Sequence, residues 1–255
     1  MTSADPKIIS ERLIGFLKQS FVSAGFSDAV IGLSGGVDSA VSCILAARAI
    51  GTDHVYPVLL PYASLSTQAT LDAMIVIEML KVSPSHVTRV DVKPVLDPIT
   101  SKEFGIDNIR KGNLMARARM MILYDHAKKR NALVVGTENK SEYLLGYFTR
   151  YGDEASDIEP LRNLYKTHIY DLAKYLGVPE AIIAKKPTAG LWEGQTDEGE
   201  FGFTYKDADD ILFLSFDEKK SVDEIIAVGF SKEIVDKVLA RAHLNDFKHH
   251  LPILP

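Results

Sequence analysis

The sequence predicts an α/β protein built on a doubly wound parallel sheet, flanked by helices and followed by a helical C-terminal extension. Three observations carry this. Between residues 29 and 136, short apolar runs rich in β-branched residues alternate with helical stretches, the pattern that builds a parallel sheet through right-handed crossovers. Residues 29–50 set an apolar run, a small-residue turn and an Ala-, Ile- and Leu-rich helix in direct succession. Beyond residue 150 the strand rhythm stops. At 255 residues, 46% hydrophobic and 25% charged, the chain reads as one domain over 1–255, with a sheet core at about 25–150 and a helical extension at about 151–255.

Residues 6–24 place Ile9, Leu13, Phe16, Leu17 and Phe21 near one face of a first helix. Residues 29–33 form the first strand and 37–50 the next helix, which ends before Gly51. Residues 54–60 read as a second strand, closed by Pro61. In the helix over 67–81, Leu71, Met74, Ile75 and Met79 recur at helical spacing as a core stripe rather than a cofactor box. Residues 86–92 alternate as a third strand. His54 and His86 stand near strand starts, the wrong end for an α/β active site, and read as structural.

A long helix over 106–130 carries the stripe Leu114, Ala118, Met121 and Ile122. Arg117 lies at the edge of that stripe, either as a snorkelling side chain or as a guanidinium facing an anion, and Arg119 faces further out. Residues 132–136 form the fourth strand. In a 3-2-1-4 order the first and fourth strands are neighbours at the switch point, so the loops at 34–39 and 137–142 meet across one crevice. A helix over 167–176 gathers Ile169, Leu172, Ala173 and Leu176 on one face. Residues 186–204 are Gly-rich, polar and without periodicity, the mark of either a lid or disorder; Trp192 and Phe203 are its candidate anchors, and Lys185 and Lys186 stand at its hinge. Helices resume over 207–218, from Ser221, where Ser221 and Glu224 fit a capping box, and over 231–247.

Composition narrows the partners. A net charge of −5 argues against a chain built to grip nucleic acid, and no apolar run approaches the ~18 residues of a membrane span. The polar start shows no apolar leader, so the expectation is a cytoplasmic protein with no membrane partner. Cys43 is the one cysteine, so an internal disulfide, a zinc–thiolate cage and a redox pair are excluded. Inside its helix it reads as a buried small hydrophobe, which leaves no nucleophile for a thiol-type glutamine-hydrolysing domain.

The chemistry begins at Ser34-Gly35-Gly36-Val37-Asp38-Ser39, between the first strand and its helix. The first N–H groups of a helix have no internal partner and face an anion with the macrodipole behind them. Glycines let the backbone close in, and Ser34 and Ser39 offer hydroxyls. The common nucleotide loop puts Gly-Lys-Ser/Thr here. A carboxylate in that place repels phosphates unless a divalent cation sits between, so Asp38 reads as a Mg²⁺ ligand. The bland alternative is a tight turn with Asp38 favoured in a first helical turn; the full S-G-G-x-D-S in its strand–loop–helix setting outweighs it.

That hexapeptide resembles the pyrophosphate loop of the ATP pyrophosphatase superfamily, the adenine nucleotide alpha-hydrolase type. Its members cleave ATP between the α- and β-phosphates and adenylate a substrate oxygen. Three further runs resemble the second signature of NAD synthetases: Gly136-Thr137-Glu138-Asn139-Lys140-Ser141-Glu142, Leu145-Gly146-Tyr147 and Thr149-Arg150-Tyr151-Gly152-Asp153. Lys186-Pro187-Thr188-Ala189-Gly190-Leu191 through Gln195-Thr196-Asp197-Glu198 resemble a third block, and the likeness runs in order over nearly the whole chain.

The resemblance implies a Rossmann-like fold and the amidation of deamido-NAD with ammonia and ATP to give NAD, AMP and pyrophosphate. It implies Asp38 and Glu142 as Mg²⁺ ligands, catalytic together with Asp157. For ATP it implies Gly32, Leu33, Ser34, Gly35, Gly36, Val37, Asp38 and Ser39, with Thr137, Lys166 and Thr188. For deamido-NAD it implies Arg117, Arg150, Asp157 and Lys248. Relatives commonly carry Lys where Arg150 stands, so a planar fork replaces a point charge. Asp157 binds ribose or places ammonia. Lys248, in Phe247-Lys248-His249-His250, is either the family's basic cluster or a solvated helix end. The family implies a homodimer, and the lid is expected to close on ATP.

Other readings are weaker. Thiolating tRNA-modifying relatives use extra cysteines and a basic face. GMP synthetases lack the 137–153 block. A pure nucleotide-binding module has no need of both Asp38 and Glu142.

Overall fold

Four parallel strands, β1 (Asp28–Gly32), β2 (Val55–Leu59), β3 (Thr88–Arg89) and β4 (Ala132–Val135), line up in the order β3-β2-β1-β4. The structure is a computed structural model that describes residues 5–250 apart from Glu103, so part of the polar start and the last five residues lie outside it. The helices are α1 (Pro6–Ala24), α2 (Val37–Ile50), α3 (Thr67–Leu80), α4 (Lys93–Thr100), α5 (Asn108–Arg130), α6 (Lys140–Leu145), α7 (Lys166–Leu176), α8 (Glu180–Ile183), α9 (Asp197–Phe201), α10 (Tyr205–Leu212), α11 (Val222–Ala227) and α12 (Lys232–Asn245).

Side chains alternate across a strand, so β1 feeds two cores. Ala29 and Ile31 join the cluster under α1, α2, α3 and α7, while Val30 packs with Val58, Val134 and Ala127 of α5 on the other face. Both faces are covered, as a doubly wound sheet requires. Local chemistry sets the helix ends. Asp5 accepts from the Lys7 N–H and Pro6 opens α1, while Asp107 accepts from the Arg110 N–H at 2.8 Å to open α5. Asn131 ends α5 in the left-handed conformation.

Residues 166–183 pack with the sheet through Ile169, Leu172, Ala173, Leu176, Ile182 and Ile183. The later helices build a separate cluster with Leu145, around Phe201, Tyr205, Ile211, Leu212 and Val238.

Several expectations are corrected. β3 spans two residues rather than 86–92, because Pro84–His86 form a 3₁₀ turn and an edge strand needs pairing on one side only. α4 went unread because Pro94 and Pro98 look like helix breakers; Pro94 sits in the first turn, where no donor is missed, and buried Leu96 holds the helix down. The stripe on α3 is not core: Leu71, Met74, Ile75 and Met79 are 38–54% exposed, and Ala73, Val76 and Ile77 face inward instead. Arg119 turns inward and donates Nε to the Leu60 carbonyl at 3.1 Å, while Arg117 is exposed. The irregular segment ends at residue 196. Beyond it α9 forms, and Phe201 and Phe203 are buried in the C-terminal cluster.

Candidate active site

The loop at 34–39 and the start of α6 meet at the C-terminal ends of β1 and β4, as the switch-point topology anticipates. Asn139 Nδ2 donates to Asp38 Oδ1 at 2.9 Å, and Ser42 Oγ donates to the Gly136 carbonyl at 2.7 Å. Gly35 has φ +80°, and a Cβ there would collide with the Ala69 carbonyl oxygen of α3. Only glycine lets the loop pass α3 that closely.

Within the loop, Ser39 Oγ donates to the Gly36 carbonyl at 3.0 Å and accepts from the Ser34 N–H at 3.2 Å. Ser34 Oγ lies 3.0 Å from Ser39 Oγ and accepts from the Gly36 N–H at 3.3 Å, so both hydroxyls shape the loop. Leu33 and Val37 are buried in the sheet core, so they can reach a ligand only through their backbone.

Asn139 caps α6 in a capping box, accepting from the Glu142 N–H at 3.0 Å. That box turns Glu142 toward Asp38. Between the two carboxylates lies the Lys166 ammonium, 2.5 Å from Asp38 Oδ2 and 3.1 Å from Glu142 Oε1. Lys166 is 3% exposed and opens α7. Its backbone N–H donates to Ser141 Oγ at 2.8 Å, and Asp209 Oδ2 accepts from the Thr167 N–H at 2.8 Å. Ser141 in turn donates to Asp209 Oδ1 at 2.5 Å, so the lysine's backbone is fixed from two sides.

Burial pushes the Glu142 carboxyl up, to about 8, with Asp38 adding to the shift and Lys166 opposing it. Burial also opposes the Lys166 charge, but Asp38 and Glu142 outweigh it and hold the ammonium above the usual lysine range. Two carboxylates share one cation in a dry place. Burial pushes the Cys43 thiol up to about 12, so it is inert.

The predicted dinucleotide residues converge elsewhere. Arg117, Arg150 and Lys248 line one cavity of about 260 Å³ with Asn113, Phe148 and Phe247. Arg117 donates Nε and Nη2 to the Arg150 carbonyl at 3.3 and 3.2 Å, and Arg150 Nη2 donates to the His250 carbonyl. Lys248 is no solvated helix end: its ammonium donates to the Gly146 and Phe148 carbonyls at 2.6 and 3.0 Å. Asp157 stands apart, on the side of β4 away from β1, where Oδ2 accepts from the Val134 N–H at 2.8 Å. Thr137 sits between β4 and α6. Thr188 lies exposed on the 186–196 segment, accepting from the Gly190 N–H at 3.1 Å.

The sequence reading did not single out Asn139, Ser141 or Asp209 as site-builders. Asn139 and Ser141 lie inside the 136–142 run, and an Asn three residues before Glu142 signals a capping box. Asp209 carries no such local mark. Lys185, at the hinge of the 186–204 segment, is ion-paired with Asp72 of α3.

A parallel α/β sheet with a lysine-free glycine loop at its switch point, whose Asp38 faces Glu142 from the second loop across Lys166, defines an adenine-nucleotide-binding enzyme of the ATP pyrophosphatase type. The comparisons are narrower. The NAD synthase family profile matches residues 9–252. The NH(3)-dependent NAD(+) synthetase of Fusobacterium nucleatum is 43% identical over 248 residues, covering 97% of this chain and 95% of its own. The structure of an NMN synthetase from Francisella tularensis superposes with TM-score 0.87 at 36% identity, covering 99% of each chain. The NH3-dependent NAD synthetase of Campylobacter jejuni, in complex with nitrate, gives 0.83 at 30% identity over 99% of this chain and 100% of that one. The chain belongs to the NAD synthase family.

Proposed function

We propose that this protein amidates deamido-NAD with ammonia and ATP, releasing NAD, AMP and pyrophosphate. The observation that carries the reading is the Asp38–Lys166–Glu142 cluster beside the phosphate loop. In the first step the nicotinate carboxylate oxygen attacks the α-phosphorus and the bond to pyrophosphate breaks. In the second, ammonia attacks the acyl carbon, AMP leaves, and the nitrogen gives up a proton as the amide forms.

The loop N–H groups and the Lys166 ammonium hold phosphate oxygens and oppose the charge that develops as pyrophosphate departs. Arg117, Arg150 and Lys248 hold the dinucleotide's phosphates, and Arg150 offers them a planar pair of donors. Thr188, on the 186–196 segment, reaches the nucleotide when that segment closes. Closure keeps water from the acyl adenylate. Asp157, tied to the outer edge of β4, acts on the dinucleotide rather than on the phosphates.

The donor set suits Mg²⁺. Ionised Asp38, Glu142 and Lys166 sum to one negative charge, and hard carboxylate oxygens already converge on one cation. Asp38 and Glu142 would hold a divalent ion, which would supply charge neutralisation of the triphosphate. The second copy of a homodimer fits the exposed apolar stripe of α3.

A second reading concerns only the length of the substrate. The close superposition on an NMN synthetase favours nicotinate mononucleotide as the carboxylate that is activated. Incubating the protein with ATP, Mg²⁺ and ammonium, and either deamido-NAD or nicotinate mononucleotide, separates the two. Equal amounts of NAD, AMP and pyrophosphate, with deamido-NAD consumed first in competition, are expected. Preferential NMN formation transfers the assignment to the mononucleotide, and no amide from either overturns it.

A further inference from the structure

α3 touches two functional parts at successive positions. At Ala69 its backbone lies against Gly35 of the phosphate loop. One turn inward, Asp72 is buried, its side chain 3% exposed; Oδ1 accepts from Gln68 Nε2 at 3.0 Å, and Oδ2 pairs with the Lys185 ammonium. A carboxylate that deep needs a cation. Lys185 comes just after α8, and the chain then runs without helix or strand to Asp197.

The rest of that segment is held by packing and hydrogen bonds, among them Gln195 Nε2 donating to Glu200 Oε1 at 2.7 Å. Leu191 sits against Gly112 of α5, where a Cβ would crowd its methyl group. The Leu191 N–H donates to Gln195 Oε1 at 2.7 Å, and the Asp197 N–H donates to the Pro187 carbonyl at 3.0 Å. Among the described residues, Lys185 ties the start of the segment to α3, the helix whose Ala69 lies against Gly35 of the phosphate loop. Thr188 is three residues on, so its reach from that anchor is about 10 Å at full extension.

We infer that Asp72 and Lys185 are positioning residues: their ion pair fixes the 186–196 segment relative to the phosphate loop, so that closure over ATP shields the acyl adenylate from water. The inference rests on the function proposed above. Without the pair the near end of the segment drifts, while Asp38, Glu142 and Lys166 stay as they are. ATP then binds more weakly, and water attacks the acyl carbon. Its oxygen joins that carbon, AMP leaves, and the original carboxylate is returned. AMP is made without NAD.

The test compares the parent, Lys185→Arg, Lys185→Met and the double variant Asp72→Asn/Lys185→Met. Lys185→Met strands a buried carboxylate and can fail to fold. The double variant removes both charges at near-constant volume and decides the question. AMP and NAD are quantified together, KM for ATP is measured, and protease protection of 186–196 by a non-hydrolysable ATP analogue is followed. Trp192, the one tryptophan, reports the segment by its fluorescence.

In the folded double variant the expectation is AMP in several-fold excess over NAD, a KM for ATP raised about tenfold, and lost protection. Lys185→Arg keeps the ratio near one. A folded double variant with a ratio of one, parental KM and full protection overturns the inference. A parent that forms no amide product from deamido-NAD overturns the proposed function instead, and the protection and fluorescence measurements still judge the latch.

Discussion

Lys166 lies where opposite demands meet. Its ammonium is closed off from water, yet two carboxylates hold it charged. Replacing it by methionine leaves Asp38 and Glu142 facing each other with no cation. Lys166→Met is expected to cost about 3 kcal/mol in chelator-treated buffer, at the low end for breaking a buried ion pair because both carboxylates retain some solvent contact. Added Mg²⁺ is expected to restore part of that stability, since an ion that binds only the folded form stabilises it by mass action. NAD formation falls at least about a hundredfold whatever the Mg²⁺ concentration. Thermal unfolding with and without Mg²⁺ measures the first effect, and a variant whose melting ignores Mg²⁺ would sink the metal assignment to Asp38 and Glu142. At this scale Asp38 and Glu142 were legible because a carboxylate among phosphates is chemically out of place without a cation. The seat of Lys166 between them was not, since it depends on a contact spanning 128 residues of chain.

The N-terminus of α7 shows how an element is positioned by a distant one. Asp209 of α10 accepts from the Thr167 N–H and the Ser141 hydroxyl, doing for α7 what an N-cap side chain does locally. Tyr165, at the cap position, offers no such bond from its own side chain. Asp209→Ala should therefore destabilise the protein by about 1–3 kcal/mol and lower ATP affinity through a shifted Lys166. Burial raises the Asp209 carboxyl from its usual 3.8 to about 6, against the pull of Ser141 and Thr167. The folded form thus holds this proton more tightly than the unfolded chain does, so Asp209's contribution is full below pH 3.8 and is lost as pH rises through about 6. Urea unfolding of the parent and Asp209→Asn should differ least near pH 4 and shift in the variant's favour by pH 7. A pH-independent difference would show that Asp209 stays ionised throughout. Element periods for α1, α2, α5 and α7 could be read because each packs an apolar face, although Phe16 of the α1 stripe and Met121 of the α5 stripe turn out to be exposed. α4 and the two-residue β3 could not, because prolines and a single-sided edge remove the usual signals. The segment at 186–204 looked uniform in composition, yet its second half folds, since Phe201 and Phe203 find a core built by residues further along the chain.

At the scale of the molecule, the strand order and the meeting of the two loops follow from chain order and crossover handedness, so they were legible before any contact was known. The face of α3 was legible only in half. Helical spacing shows that Leu71, Met74, Ile75 and Met79 share a face that needs covering; it cannot tell whether the cover is the same chain or another copy. In the single chain that face is open, while Ala73, Val76 and Ile77 fill the intramolecular contact. A helix with small and β-branched residues inward and large flexible ones outward is suited to bind on both sides. Ile75→Asp and Met74→Asp place a charge on the outer side without touching the inner one. Each is expected to weaken self-association at least about a hundredfold while circular dichroism and the melting of the monomer stay near the parental form. Sedimentation velocity across a dilution series measures this. If the parent sediments as a monomer, or if the aspartate variants remain dimers, the α3 face is not the dimer contact. Because the same helix presses Ala69 against Gly35 and holds Lys185 through Asp72, loss of the dimer should also raise KM for ATP, for the helix is then supported from one side only. Retention of parental KM in a proven monomer would separate assembly from the phosphate loop.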